Sequence, residues 1–269
     1  MVAFPNAKIN FGLNVINKRA DGYHNLETCF YPIGWSDILE VIPGENLDFS
    51  SSGIIIPGNP KENLCIKAYQ LLKQDFEIPP VKIHLHKIVP IGAGLGGGSS
   101  DAAYTLKLLN NLFKLNLDQV RLSNYAATLG ADCAFFIQNT PLFAIEKGDV
   151  FQETSISLKG YYLVVIYPGI HVSTSLAYKG IVPSQTSKQI GKALSKDIGQ
   201  WKLILENDFE NTVFKQFPII KEIKNQLYKQ GALYASMSGS GSAVYGIFDK
   251  EINFGPMIKN NYLYWSGLL

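Results

Sequence analysis

Residues 90–103 read Pro90-Ile91-Gly92-Ala93-Gly94-Leu95-Gly96-Gly97-Gly98-Ser99-Ser100-Asp101-Ala102-Ala103. Five of the seven residues from Gly92 to Gly98 are glycine. Glycine lets a backbone take positive φ and approach a ligand closely. N–H groups in such a run converge on one point, and the positive end of a following helix adds to them. The run is therefore read as an anion cradle rather than a plain structural loop. A strand precedes it: Val81, Ile83 and Leu85 alternate with Lys82, His84 and His86. A helix follows from about Ser99 or Ser100, either of which is a candidate cap, with Ala102, Leu106, Leu109 and Phe113 as its apolar stripe.

Around this centre the pattern is mixed α and β. Short strands are expected at Lys8 to Ile16, Asp37 to Ile42, Ile54 to Ile56, Leu142 to Glu146, Tyr162 to Tyr167 and Ala243 to Phe248. Helices are expected at about Asn63 to Gln74, Leu117 to Leu129 (Asp118 as cap, Gly130 as stop), Trp201 to Leu205 and Ile219 to Tyr228. The polar stretch Val182 to Gln200 reads as an exposed connection, and a domain boundary is placed near residue 153, giving domains 1–153 and 154–269.

The chain has 269 residues, 46% of them hydrophobic and 17% charged, enough for a large core. A net charge of +2 gives no reason to expect a nucleic-acid or membrane partner. Three scattered cysteines and no long apolar run imply a reducing, cytoplasmic setting. His84 and His86 share a strand face, but no third ligand accompanies them, so they read as a partly solvated face.

Other nucleotide motifs fit less well. Gly92-x-Gly94-x-x-Gly97 matches the dinucleotide fingerprint in form, with Asp118 downstream, but Asp118 falls between two helices rather than at a strand end. No Gly-Lys-Ser/Thr, His-Arg-Asp or Asp-Phe-Gly follows.

Pro90 to Ala103 resembles the second motif of the GHMP kinases. Ala7-Lys8-Ile9-Asn10 resembles their first motif, and Met237-Ser238-Gly239-Ser240-Gly241 their third. Asp21-Gly22-Tyr23-His24 resembles the substrate loop of one branch, and Gly130-Ala131-Asp132 the segment carrying the catalytic aspartate. The resemblance implies an α+β, two-domain GHMP kinase fold: an N-terminal domain like the second domain of ribosomal protein S5 and a ferredoxin-like C-terminal domain, with the active site in the cleft between. It implies an enzyme, as a monomer or homodimer, that uses ATP and Mg2+ to phosphorylate the 2-hydroxyl of a small molecule, 4-diphosphocytidyl-2-C-methyl-D-erythritol, in isoprenoid synthesis.

Site residues follow position by position. Lys8 and Asp132 would be catalytic, the carboxylate as base and the ammonium as charge stabiliser. Lys8 otherwise reads as an edge-strand lysine, and Asp132 as a helix cap. ATP would be held by Pro90, Gly92, Gly94, Leu95, Gly96, Gly97, Gly98, Ser99 and Ser100, with Asn63 and Lys87 near the nucleotide. The alcohol would meet Asn10, Thr174, Ser238 and Gly239. Tyr23 and His24 would take cytosine, the tyrosine by stacking, with Tyr178 as the second wall. The magnesium ligands stay open. Phosphorylation of another alcohol such as homoserine, a nucleotide-binding module without catalysis and an NAD-dependent dehydrogenase are the alternatives.

Overall fold

The computed structural model describes residues 1–183, 190–259 and 261–269. In chain order its strands are β1 (Val2–Ala3), β2 (Asn6–Lys18), β3 (His24–Ser36), β4 (Ile38–Pro43), β5 (Asp48–Gly53), β6 (Val81–Lys87), β7 (Leu142–Ile145), β8 (Val150–Glu153), β9 (Tyr162–Tyr167), β10 (Tyr234–Met237), β11 (Val244–Phe248) and β12 (Leu263–Leu268). The helices are α1 (Leu64–Asp75), α2 (Gly97–Leu112), α3 (Gln119–Leu129), α4 (Phe135–Gln138), α5 (Thr174–Tyr178), α6 (Ile190–Leu194), α7 (Ile198–Trp201), α8 (Phe209–Gln216) and α9 (Pro218–Lys229).

The chain forms two compact units. One comprises Met1–Ala7, Trp35–Ile91 and Gly96–Thr140; the other comprises Lys8–Gly34, Gly92–Leu95 and Pro141–Leu269. The units interleave, so no single cut near residue 153 separates them. The reason is the long β2–β3 hairpin: β3 pairs with β7, and Leu13 of β2 bonds the Glu206 carbonyl and the Asp208 N–H, so the hairpin groups with later residues. The glycine run itself is divided: Gly92–Leu95 falls in the second unit and Gly96 onward in the first.

The first unit carries the sheet β1-β4-β6-β5, with β5 parallel to β6 and the other pairs antiparallel. β6 buries Val81, Ile83 and Leu85 as the alternation demands. His84 and His86 face outward, where their rings bond Ser50 and Ser52 of β5. Asn63 caps α1 by accepting from the Cys65 N–H, and Asp118 caps α3 by accepting from that of Arg121. Asp118 therefore ends no parallel strand, which removes the dehydrogenase reading.

In the second unit the sheet β10-β11-β9-β12 is antiparallel throughout. Within this group the spatial order is second, third, first, fourth, the arrangement of a ferredoxin-like fold. Part of the stretch expected as an exposed connection is instead helical: α6 and α7 bury Ile190, Leu194, Ile198 and Trp201. The sparse apolar residues there sit at helical spacing among polar ones, which the polar composition hid. Residues 184–189 of that stretch lie outside the described residues. Helix α7 stops at Trp201, so the helix expected to continue to Leu205 is a turn.

One buried charge cluster aims the start of α2. The Lys87 ammonium lies 2.5 Å from Asp37 Oδ2 and 2.7 Å from Asp101 Oδ2. Asp37 Oδ1 also accepts from the Ile88 and Val89 N–H groups at 2.6 and 2.8 Å. The end of β6, the turn before β4 and the first turn of α2 are thus tied together. Burial pulls the Lys87 ammonium down, but Asp101 and Asp37 carry it above its ordinary value. Burial pushes the Asp101 carboxyl up to about 7, with Lys87 opposing and Asp37 adding to the shift. The cause is two carboxylates sharing one cation out of water.

The folded state therefore keeps the Asp101 proton between about pH 4 and 7, where the unfolded chain has lost it. This group's contribution to stability falls as pH rises through that window. Asp101→Asn, which cannot ionise, is expected to flatten that decline and to melt above the wild type at pH 8. Lys87→Met is expected to lose about 3–5 kcal/mol, because it strands two buried acids. Thermal melts from pH 5 to 8 check both, and parallel wild-type and Asp101→Asn curves would exclude the assignment.

Candidate active site

Strand β2 buries both of its faces. Ile9, Phe11, Leu13 and Val15 form an apolar side, while Lys8, Asn10 and Asn14 are buried as well. Lys8 is 3% exposed, so it is not an edge lysine facing water. Its ammonium donates to Asn10 Oδ1 at 2.6 Å and to the Gly94 carbonyl at 3.2 Å, and lies 4.7 Å from the centre of the Phe30 ring. Asn10 Nδ2 donates to Thr28 Oγ1 at 3.0 Å, and that hydroxyl donates to the Gly12 carbonyl at 2.6 Å. The fully buried Ser238 hydroxyl donates to the same Gly94 carbonyl at 2.8 Å. The first-motif strand, the glycine run and the third-motif loop therefore meet on one carbonyl oxygen.

The glycine run shows why its carbonyls and its N–H groups part ways. The Ala93 carbonyl accepts from the Ala243 N–H at 3.1 Å, and the Leu95 carbonyl from the Lys8 N–H at 2.9 Å. With Gly94 O taken by Lys8 and Ser238, three successive carbonyls face the protein. In a trans peptide the N–H points opposite to the carbonyl. The N–H groups of Gly94, Leu95 and Gly96 accordingly point away from those three bonds. Gly94 and Gly96 hold this course with φ of 80° and 71°.

Helix α2 starts at Gly97, two residues before the expected serines, and neither serine caps it. Gly96, in the left-handed region, occupies the cap position, which only glycine takes at no steric cost. The first-turn N–H groups have no acceptor within the helix, as at any helix start. Ser99 instead bonds the Cys133 thiol, whose pKa burial pushes up to about 11. Ser100 Oγ is buried with no hydrogen-bond partner among the described residues. Asp132, the residue before Cys133, is half-buried in the turn between α3 and α4. It does not cap α4, whose cap position is Ala134.

Lys87 and Asn63, expected near the nucleotide, both make structural bonds. Lys87 is 3% exposed and held by two carboxylates. It lies close to the run: a Cβ on Gly97 would sit 3.0 Å from its ammonium. Asn63 uses its side-chain oxygen as the α1 cap.

The Asp21-Gly22-Tyr23-His24 turn is held by its own hydrogen bonds. Asp21 Oδ1 accepts from the Tyr23 N–H at 3.1 Å, and the Tyr23 carbonyl accepts from the Arg19 N–H at 2.8 Å. Tyr23 is 63% exposed. The His24 ring stacks on Tyr178, with centroids 4.7 Å apart and planes 20° from parallel. The recorded ring partners of Tyr178 are thus His24 and Phe209, not Tyr23. Burial, then the charge of Lys18, hold the His24 imidazole below its ordinary pKa, which favours the neutral ring. Thr174 Oγ1 lies 3.5 Å from Ser240 Oγ, beside Ser238 and Gly239.

Sequence reading missed Thr28, Asp37 and Asn207, all buried polar residues. Asn207 stands two residues before α8, and its amide donates to the Met237 and Gly239 carbonyls at 2.8 Å each. A polar residue just before a helix reads as a cap, and nothing local tells a cap from a long-range clamp.

The family described as GHMP kinases N terminal domain matches residues 63–140, and the one described as GHMP kinases C terminal matches residues 189–253. The chain is 56% identical over 252 residues to the 4-diphosphocytidyl-2-C-methyl-D-erythritol kinase of Cytophaga hutchinsonii, covering 93% of each. It is 54% identical over 255 residues to that of Bacteroides thetaiotaomicron, again covering 93% of each. A solved 4-(cytidine 5'-diphospho)-2C-methyl-D-erythritol kinase superposes with a TM-score of 0.75 at 33% identity, over 92% of this chain and 90% of that one. The Methanococcus jannaschii mevalonate kinase superposes with a TM-score of 0.72 at 14% identity, over 100% of this chain and 98% of that one, a likeness of fold alone.

A Cβ on Gly94 would lie 2.0 Å from the Ser238 carbonyl oxygen, while one on Gly98 would meet nothing within 4 Å. Gly94→Ala is expected to cost at least about 1–3 kcal/mol through backbone strain and to abolish turnover. Gly98→Ala, inside α2, should leave the melting temperature level or raise it. Calorimetry on the pair tests this, and equal melting temperatures would refute the packing argument.

Proposed function

We propose a reaction and a division of labour for this chain, which belongs to the GHMP kinase family: transfer of the γ-phosphoryl group of ATP to the 2-hydroxyl of 4-diphosphocytidyl-2-C-methyl-D-erythritol. The carrying observation is the Gly94 carbonyl that joins Lys8, Asn10 and Ser238 to the phosphate nest. The chain's likeness to kinases of that cytidylated alcohol supports the choice of acceptor.

Asp132 takes the proton of the acceptor hydroxyl. The freed oxygen attacks the γ-phosphorus, the bond from that phosphorus to the β-bridging oxygen breaks, and ADP leaves. Lys8 offsets the charge that gathers on the oxygens, and Asn10 bonds the alcohol. The nest of Gly92 to Gly98 and the start of α2 hold the triphosphate. Mg2+ would screen phosphate charge when bound. No group of three or more His, Cys, Asp or Glu side chains among the described residues could hold a metal. The Ser99 and Ser100 hydroxyls would be the protein's ligands to the ion, and the unpartnered Ser100 Oγ fits such a role.

Tyr23, His24 and Tyr178 receive cytosine. A neutral His24 offers one donor and one acceptor, which matches a base edge. Thr174, Ser238 and Gly239 line the path of the diphosphate. Homoserine has no ring to stack on the exposed Tyr23, which favours the cytidylated acceptor.

A coupled assay for ADP with the purified cytidylated alcohol tests the reaction, and homoserine as an equal or better substrate would refute it. Asp132→Ala should keep the wild-type melting temperature and lose at least about 10²–10⁴-fold in kcat. Turnover near wild type would remove Asp132 from the proton transfer. Tyr23→Ala should raise KM for the cytidylated alcohol well beyond any change in KM for ATP; equal shifts would count against the cytosine platform.

A further inference from the structure

Asn207 is 3% exposed, and both ends of its carboxamide are engaged. Its Oδ1 accepts from the Phe209 N–H at 3.0 Å. Its Nδ2 donates at 2.8 Å to the Met237 carbonyl and at 2.8 Å to the Gly239 carbonyl. The backbone on either side is fastened to β2. Leu13 N–H donates to the Glu206 carbonyl at 2.9 Å, Asp208 N–H donates to the Leu13 carbonyl at 2.8 Å, and Val15 N–H donates to Asp208 Oδ2 at 2.8 Å. One residue further on, Phe209 opens α8, whose Glu210 accepts from the Met237 N–H at 2.9 Å and from the Ser236 hydroxyl at 3.1 Å. Asn207 is therefore a fixed post between the strand of Lys8 and Asn10 and the loop of Ser238.

Its hold on Gly239 has a directional consequence. With the Gly239 carbonyl turned to Asn207, the N–H of Ser240, in the same trans peptide, points the other way. Gly239 is at φ 54°, a course that favours glycine. Ser240 is half-buried, and its hydroxyl lies 3.5 Å from Thr174 Oγ1. The N–H that Asn207 turns outward thus belongs to the residue whose hydroxyl meets that of Thr174. Such a group suits an anion rich in acceptor oxygens, and among such anions a phosphate.

We infer that Asn207 is a positioning residue: by holding the Met237 and Gly239 carbonyls it turns the Ser240 N–H and the neighbouring hydroxyls toward a phosphate oxygen of the bound reactants. The inference deepens the kinase reading and rests on it for the identity of the phosphate. That oxygen belongs either to the diphosphate of the cytidylated alcohol or to ATP. Both present the same chemistry to the loop.

The test is Asn207→Asp in the full chain. The new carboxylate keeps the acceptor for Phe209 but sets an oxygen against two carbonyls, so the loop must turn away. CDP and a non-hydrolysable ATP analogue are titrated separately by calorimetry into wild type, Asn207→Asp and Val213→Ala. Val213 is a buried apolar residue of α8 outside the hydrogen-bonded network, and its variant controls for lost stability. The expected result is about a tenfold weaker Kd in Asn207→Asp for one of the two ligands, the value of one hydrogen bond to a charged oxygen. Loss with CDP assigns the substrate diphosphate, and loss with the analogue assigns ATP. Val213→Ala should keep both affinities. Unchanged affinities in Asn207→Asp, or matching losses in Val213→Ala, overturn the inference. If Asn207→Asp does not fold, Asn207→Ser, which keeps one donor, is titrated instead and judged by the same two outcomes. Wild type that yields no product from the cytidylated alcohol would refute the kinase reading, while the titrations would still decide the role of Asn207.

Discussion

The Gly94 carbonyl is the joint on which the site depends. It takes an ammonium hydrogen from Lys8 and a hydroxyl hydrogen from Ser238, two residues separated by most of the chain. A buried carbonyl has two lone pairs to fill, and here both are filled by site residues. The consequence runs through peptide geometry: every carbonyl turned inward turns an N–H outward. Three carbonyls in succession face the protein, so three N–H groups in succession face away from it. The proposed phosphate nest is the other side of a set of ordinary structural hydrogen bonds, and it rests on no positive side chain.

The same economy appears beneath α2. A lysine that could have met phosphate directly is sunk between Asp37 and Asp101. Buried ion clusters contribute little net stability, because desolvation cancels most of the attraction. What this one supplies is direction. It ties the end of β6, the turn before β4 and the first turn of α2, so the helix start cannot swing. Glycine at position 97 lets the cluster sit close under the backbone.

Much of the fold was legible because its signals are local. The alternation of β6, the Asp118 cap and the stop at Gly130 each rest on residues a few positions apart. The failures share one cause. Serines 99 and 100 look like caps, but the chain enters α2 from Gly96 with a left-handed turn that no short-range rule anticipates. The two carboxylates that hold Lys87 lie fourteen and fifty residues away, so no local pattern shows the cluster. The stretch after Val182 looks exposed until its few apolar residues are buried along α6 and α7. A single cut at residue 153 does not reproduce the two units, because Leu13 of the early hairpin bonds the backbone of Glu206 and Asp208 far along the chain.

By itself the sequence determined the mixed α/β class, the turn-forming glycine run between a strand and a helix, and the residue types on which the proposed chemistry rests. These follow from side-chain chemistry and short-range spacing, which the chain carries whether folded or not. Only the tertiary structure decided which polar groups are spent on one another and which stay available. It made Lys87 a strut, stacked His24 on Tyr178 and set Asn207 between the Phe209 N–H and the Met237 and Gly239 carbonyls. Hydrogen bonds are directional and reach only about 3 Å, so their partners are settled by where the backbone brings distant residues, and no local pattern encodes that.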